Sequence, residues 1–86
     1  MFEINFSNKS SKFVKKLEHK IKKRIKDKVN SLCENPFPPD CVRVEGYKNY
    51  KVFRIRVGKY RIIYSVHREE NLIVIINVDK RSRVYD

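Results

Sequence analysis

Residues Tyr50–Val66, YKVFRIRVGKYRIIYSV, carry two alternating apolar runs on either side of Gly58-Lys59. That pattern predicts a β-hairpin closed by a two-residue turn. Glycine at the first turn position suits a type II′ turn, whose first central residue has a positive φ. With that turn Val57 faces Tyr60, Arg56 faces Arg61 and Arg54 faces Ile63. Strand side chains alternate between faces. Phe53, Ile55, Val57, Tyr60, Ile62 and Tyr64 therefore share one side, and Arg54, Arg56 and Arg61 share the other. Like charges directly opposite across a ladder destabilise it by a few tenths of a kcal/mol up to about 1. A chain that gathers three arginines on the open face of its own hairpin is built to meet a polyanion there.

The remaining composition agrees. The chain has 86 residues, enough for one domain (1–86) with a modest core, and 41% of them are hydrophobic. A formal net charge of +11 and a pI near 9.9 make nucleic acid the first partner to consider and an anionic membrane surface the second. Ten basic residues lie in Lys9–Lys28 and eleven in Arg43–Arg83, so both halves carry the positive field. No basic segment followed by an apolar one suggests secretion, and the apolar run Leu72–Ile76 is far too short to span a bilayer. A cytoplasmic protein with no membrane partner is expected. Cys33 and Cys41 show neither C-x-x-C nor zinc-site spacing. They read as a small buried side chain and a loop thiol, and no metal or cofactor is expected.

Phe2, Ile4 and Phe6 alternate with Glu3 and Asn5 as a short half-buried strand, after which Ser7 or Asn8 can cap a helix. Phe13, Leu17, Ile21, Ile25, Val29 and Cys33 follow at steps of four. Each step drifts about 40°, so one straight helix would wind this stripe through about 200°, more than a flat core covers. A break near Glu18–Lys20, giving two antiparallel helices, resolves the conflict. Lys15, Lys16, Lys22, Lys23 and Lys26 then form a solvated face. Asn35-Pro36-Phe37-Pro38-Pro39 is a stiff link, Val42 and Val44 mark a strand, and Leu72–Val78 suits an interior strand followed by a charged tail, Asp79–Asp86. The order β-αα-ββββ indicates an α+β domain with the helices packed on one face of a mainly antiparallel sheet. Tyr60 and Tyr64 fall on the core side, and His19 and His67 read as separate surface residues.

The basic helical hairpin, the R-x-R-x-G-x-Y-R-x-x-Y segment from Arg54 to Tyr64, the Lys80-Arg81 pair after an apolar strand, and Tyr85 together resemble the RelE/ParE toxin superfamily. The resemblance covers essentially the whole chain and fits the RelE branch best, because a late arginine and a tyrosine are both present. It implies a ribosome-dependent endoribonuclease that cuts mRNA in the decoding site. It also implies a RelB-like antitoxin that wraps and neutralises the toxin in a hetero-oligomer, with a monomer when free. By position, Arg54, Arg56, Arg61, Arg81 and Tyr85 would be the catalytic set, with Lys59, Lys80 and Arg83 as flanking RNA contacts.

Attack of a ribose 2′-hydroxyl on the adjacent phosphorus needs charge stabilisation, a base and an acid. Arginine forks suit the first task, through bidentate phosphate contact. They suit the second poorly, since guanidinium pKa exceeds 12. Where relatives offer lysines, this chain has Arg54 and Arg56, which leaves Tyr85 as base or as a stacking platform. Two other functions stay open on the residues alone: a ParE-like toxin that inhibits DNA gyrase without nuclease activity, and a non-enzymatic basic module that binds RNA or the ribosome by charge.

Overall fold

A computed structural model describes residues 1–80. The chain order is β1 (Glu3–Phe6), α1 (Asn8–Lys15), α2 (His19–Ser31), β2 (Val42–Val44), β3 (Lys51–Val57), β4 (Tyr60–His67) and β5 (Leu72–Lys80). The strands form one sheet in the order β1-β5-β4-β3-β2. β1 runs parallel to β5, and every other pair is antiparallel.

The helical stripe breaks as its winding required, between Lys15 and His19, slightly before the expected Glu18–Lys20, since His19 and Lys20 already belong to α2. Ser7 caps α1: its hydroxyl accepts from the Ser10 amide at 3.1 Å. Glu18 stands at the N-cap of α2 and makes no side-chain capping bond. Val14, Ile25, Val29 and Leu32 from the helices close on Ile55, Val57, Ile62, Tyr64, Ile73, Ile75 and Val78 from the sheet. The Tyr64 hydroxyl donates to the Pro36 carbonyl at 2.7 Å and so ties the proline link to this core. Tyr60 meets the edge of Phe13 from α1, with centroids 6.2 Å apart. Both tyrosines lie on the core side as their strand positions predict.

The hairpin register is the predicted one: Val57 pairs with Tyr60, Arg56 with Arg61 and Arg54 with Ile63. Gly58 has φ +57 while Lys59 does not take a positive φ, as a type II′ turn requires. Three expectations need correction. Asp79 and Lys80 belong to β5 rather than to a tail. Cys33 is half-buried, like Cys41. His67 is not a plain surface residue: it ends β4, hydrogen-bonded to Ser65 Oγ through Nε2 at 2.8 Å.

One irregularity positions the site. Ile63 pairs with Asn77 but Tyr64 pairs with Ile75, so Ile76 is an extra residue in β5. A bulge of this kind shifts the alternation of the strand that carries it. Ile73 and Ile75 point into the core on one side of it and Val78 on the other, which turns Asn77 and Asp79 onto the open face. The carbonyls at the bulge are satisfied by the start of α1: Ser7 Oγ donates to Ile76 O at 2.8 Å, and Ser10 Oγ to Ile75 O at 3.0 Å.

Candidate nucleic-acid interface

The helices cover one face of the sheet, and the arginines stand on the other. Arg56, Arg61 and Asp79 are cross-strand partners in one row over β3, β4 and β5. Arg54, Ile63 and Asn77 form the next row. Side chains two residues apart on a strand are about 6–7 Å apart, so Arg54 and Arg56 reach over the same patch. Arg56 is exposed, whereas Arg54 and Arg61 are half-buried.

The row contains its own counter-charge. Arg61 Nε donates to Asp79 Oδ1 at 3.4 Å, and Asn77 Nδ2 donates to Asp79 Oδ2 at 3.1 Å. Asp79 thus uses one oxygen to hold Arg61 and the other to hold itself. The Arg61 side chain keeps 20% of its exposure and that of Asp79 37%, so the pair orients more than it stabilises. The repulsion between Arg56 and Arg61 is offset by a carboxylate on Arg61's other flank.

A fourth arginine approaches from the helical layer. A Cβ built at Gly58 would lie 3.4 Å from both terminal nitrogens of Arg24, so that guanidinium rests against the hairpin turn. Arg24, Lys28 and Arg56 line an open cleft of ≈ 460 Å³ there. β2 pairs only with Val52–Arg54, and the cleft lies beside the end of β3 beyond that pairing. Arg24, Asn77 and Asp79 are the site residues that the sequence reading missed. Arg24 had a faint signal, its i, i+4 spacing to Lys28, whereas Asp79 had none without the bulge.

Lys59 is exposed in the turn. Lys80 pairs with Tyr60 and so takes the helix side of the sheet, away from the arginine rows. Arg81, Arg83 and Tyr85 lie outside the described residues. Burial pushes the Tyr64 phenol far above its ordinary range, with Cys41 and Asp40 adding to the shift. Tyr64 is therefore a neutral structural donor. Among the described residues no group of three His, Cys, Asp or Glu side chains is arranged to hold a metal ion, and no helix is long and apolar enough to cross a membrane.

A strand, a helical hairpin and an antiparallel sheet with an arginine-lined open face define a class of small toxin. The chain belongs to the ParE toxin family of type II toxin–antitoxin systems, whose model, described as "ParE toxin of type II toxin-antitoxin system, parDE", matches residues 4–85. The toxin RelE3 of Methanocaldococcus jannaschii is 40% identical over 86% of this chain and 88% of its own length. The archaeal RelE–RelB complex from Pyrococcus horikoshii OT3 contains a chain that superposes with a TM-score of 0.84 at 26% identity, covering 95% of this chain and 97% of that one. In the RelB–RelE complex from Methanococcus jannaschii the match has a TM-score of 0.68 at 30% identity and covers 95% of each chain. The protein is a RelE-like toxin, with the α+β fold that its sequence pattern implied.

Proposed function

We propose that this toxin is a cytoplasmic, ribosome-dependent endoribonuclease that cuts mRNA in the decoding site, and that a RelB-like antitoxin neutralises it. The observation that carries the reading is the cross-strand row of Arg56, Arg61 and Asp79 with Arg54 beside it, on the sheet face that the helices leave open. The antitoxin follows from the similar toxins' own assemblies, which are RelE–RelB complexes.

The 2′-oxygen attacks phosphorus, the bond to the 5′-oxygen breaks, and the products are a 2′,3′-cyclic phosphate and a 5′-hydroxyl. Charge grows on the non-bridging oxygens as this happens, and arginine forks stabilise it where water is excluded. Arg61, held at Nε by Asp79, is preorganised for that task. Arg56 and Arg54 bring the adjoining phosphates into line. Guanidinium groups stay protonated and do not take the 2′-hydroxyl proton. Tyr64 is excluded by burial, so the resemblance leaves Tyr85 as acceptor of the 2′-hydroxyl proton and Arg81 as a further member of the catalytic set, and the departing 5′-oxygen takes its proton from water.

Purified toxin added to programmed ribosomes is expected to cut mRNA at the decoding codon, and Arg61→Ala to slow the cut by about 10²–10³, the cost of removing one preorganised donor. Intact mRNA with folded, ribosome-bound toxin overturns the reading. The family model's ParE name keeps one rival in view: covalent gyrase–DNA complexes in place of cut mRNA would assign a non-nuclease toxin.

A further inference from the structure

At the far end of the arginine-bearing face stands a ladder of aromatic rings that neither the catalytic row nor the core uses. Tyr47 and Tyr50 are 42% and 40% exposed, the only tyrosines among the described residues counted as exposed. Their centroids are 6.0 Å apart, and Tyr50 lies 5.2 Å from the ring of His67. His67 is fixed beneath them by its 2.8 Å bond to Ser65, a residue that is itself 1% exposed, and its Nδ1 is 3.8 Å from Glu70. A buried anchor and two tilted ring contacts, with interplanar angles of 33° and 58°, leave two large aromatic surfaces partly in water.

The ladder continues the site already described. His67 is six residues from Arg61 along β4, so alternation puts both on the open face, and Tyr50, just before β3, meets that side through its contact with the His67 ring. At about 3.3 Å per residue Arg61 and His67 are about 20 Å apart along β4. Val52 and Ser65 lie between as a buried, uncharged cross-strand pair. Tyr50 and His67 also line a cleft of ≈ 670 Å³ that reaches the helix side of the sheet, where Arg43 and Lys51 pair with Phe53 and Val66 and Arg68 lies over the Phe37 ring, and these cations outnumber Glu69 and Glu70. Exposed rings flanked by net positive charge are the chemistry of single-stranded RNA binding: bases stack on the rings and cations meet the phosphates. A protein partner of the acidic kind would gain from the cations but not from the stacked rings.

We propose that Tyr47, Tyr50 and His67 form a base-stacking platform for the RNA strand as it leaves the arginine rows. The platform rests on the reading of those rows as the RNA site, but its test is independent of cleavage. It uses a single-stranded RNA of about twelve nucleotides, within the usual single-strand site sizes, bearing 2′-O-methyl groups so that it cannot be cut. Affinity is read by fluorescence anisotropy without ribosomes. Tyr50→Ala is expected to weaken binding roughly tenfold, the loss typical of one stacked base. Tyr50→Phe keeps wild-type affinity, because the ring and not the hydroxyl stacks. A blunt RNA duplex binds Tyr50→Ala and wild type alike. Unchanged single-strand affinity in Tyr50→Ala overturns the proposal, as does an equal loss for the duplex or for Tyr50→Phe. Circular dichroism of the variants, whose altered ring is exposed, keeps the comparison among folded proteins.

Discussion

Arg61 stands between a like charge and an opposite one, with Arg56 on one flank and Asp79 on the other. The carboxylate lowers the local positive potential, which weakens phosphate affinity, while it restrains the guanidinium that must meet developing charge. These effects separate in a variant. Asp79→Asn keeps shape and removes the charge, and since the pair is partly exposed the stability change stays within about 1 kcal/mol. Binding of uncut RNA should be equal or tighter, while the single-turnover cleavage rate falls about tenfold from lost orientation. Faster cleavage would mean that Asp79 only opposes the phosphate. Tyr64 makes the opposite kind of residue-scale statement. Its phenol is held neutral by burial, so the folded form binds the proton more tightly than the unfolded form. Its contribution is complete below the ordinary tyrosine range and is lost as pH climbs through it toward the folded value. Tyr64→Phe should lower stability at neutral pH by about 1–2 kcal/mol, by removing the bond to Pro36. It should also flatten the alkaline fall in stability, measured as melting temperature against pH. An unchanged alkaline slope would assign that fall to the other tyrosines and the lysines. The arginine trio was legible because a strand's alternation is fixed by two-residue geometry and the Gly58 turn set the register. Asp79 was not, because simple alternation with Ile73 and Ile75 would have sent it into the core, and only the extra residue at Ile76 reverses that.

The elements that hold these residues are a tight turn and a helical hairpin. Gly58, at φ +57, sets the pairing of Arg56 with Arg61 and also lets Arg24 lie against the turn. Gly58→Ala forces an L side chain into the left-handed region, at about 1–2 kcal/mol, with a Cβ 3.4 Å from the guanidinium. The expected result is a lower urea midpoint, together with a shift in the amide resonances of Arg56 and Arg61 by NMR. An unperturbed midpoint would show that the turn relaxes without strain. The break between α1 and α2 was readable from the drift of a four-residue stripe, although neither glycine nor proline marks it, because a stripe winding through about 200° has no flat surface to pack on. The depth at which each helix sits was not readable. Arg24 reaches the hairpin only because α2 crosses beneath β3, and tertiary packing of that kind leaves little trace in one sequence. The end of β5 was likewise set two residues short, since Asp79 and Lys80 look like the start of a polar tail until pairing with Arg61 and Tyr60 retains them.

Across the whole molecule, a charge of +11 is spread over both layers, yet the structure separates its uses. The helical lysines lie on the layer that covers the core, with Lys26 exposed and Lys22 half-buried beside Phe6 and Val14. Arg54, Arg56 and Arg61 stand on the side of the sheet that the helices leave uncovered. Charge alone would make any cation about as useful as any other, with affinity falling linearly in log salt. The central claim is stricter, namely that one row of guanidinium groups performs the chemistry. The most direct measurement is the single-turnover rate of mRNA cleavage on programmed ribosomes at saturating toxin, comparing wild type, Arg61→Ala, Arg56→Ala and a Lys22→Ala/Lys26→Ala double variant. The account predicts a loss of about 100-fold for each arginine variant and a rate near wild type for the lysine pair. Equal losses in all three variants, or intact mRNA with the wild-type protein, would contradict it.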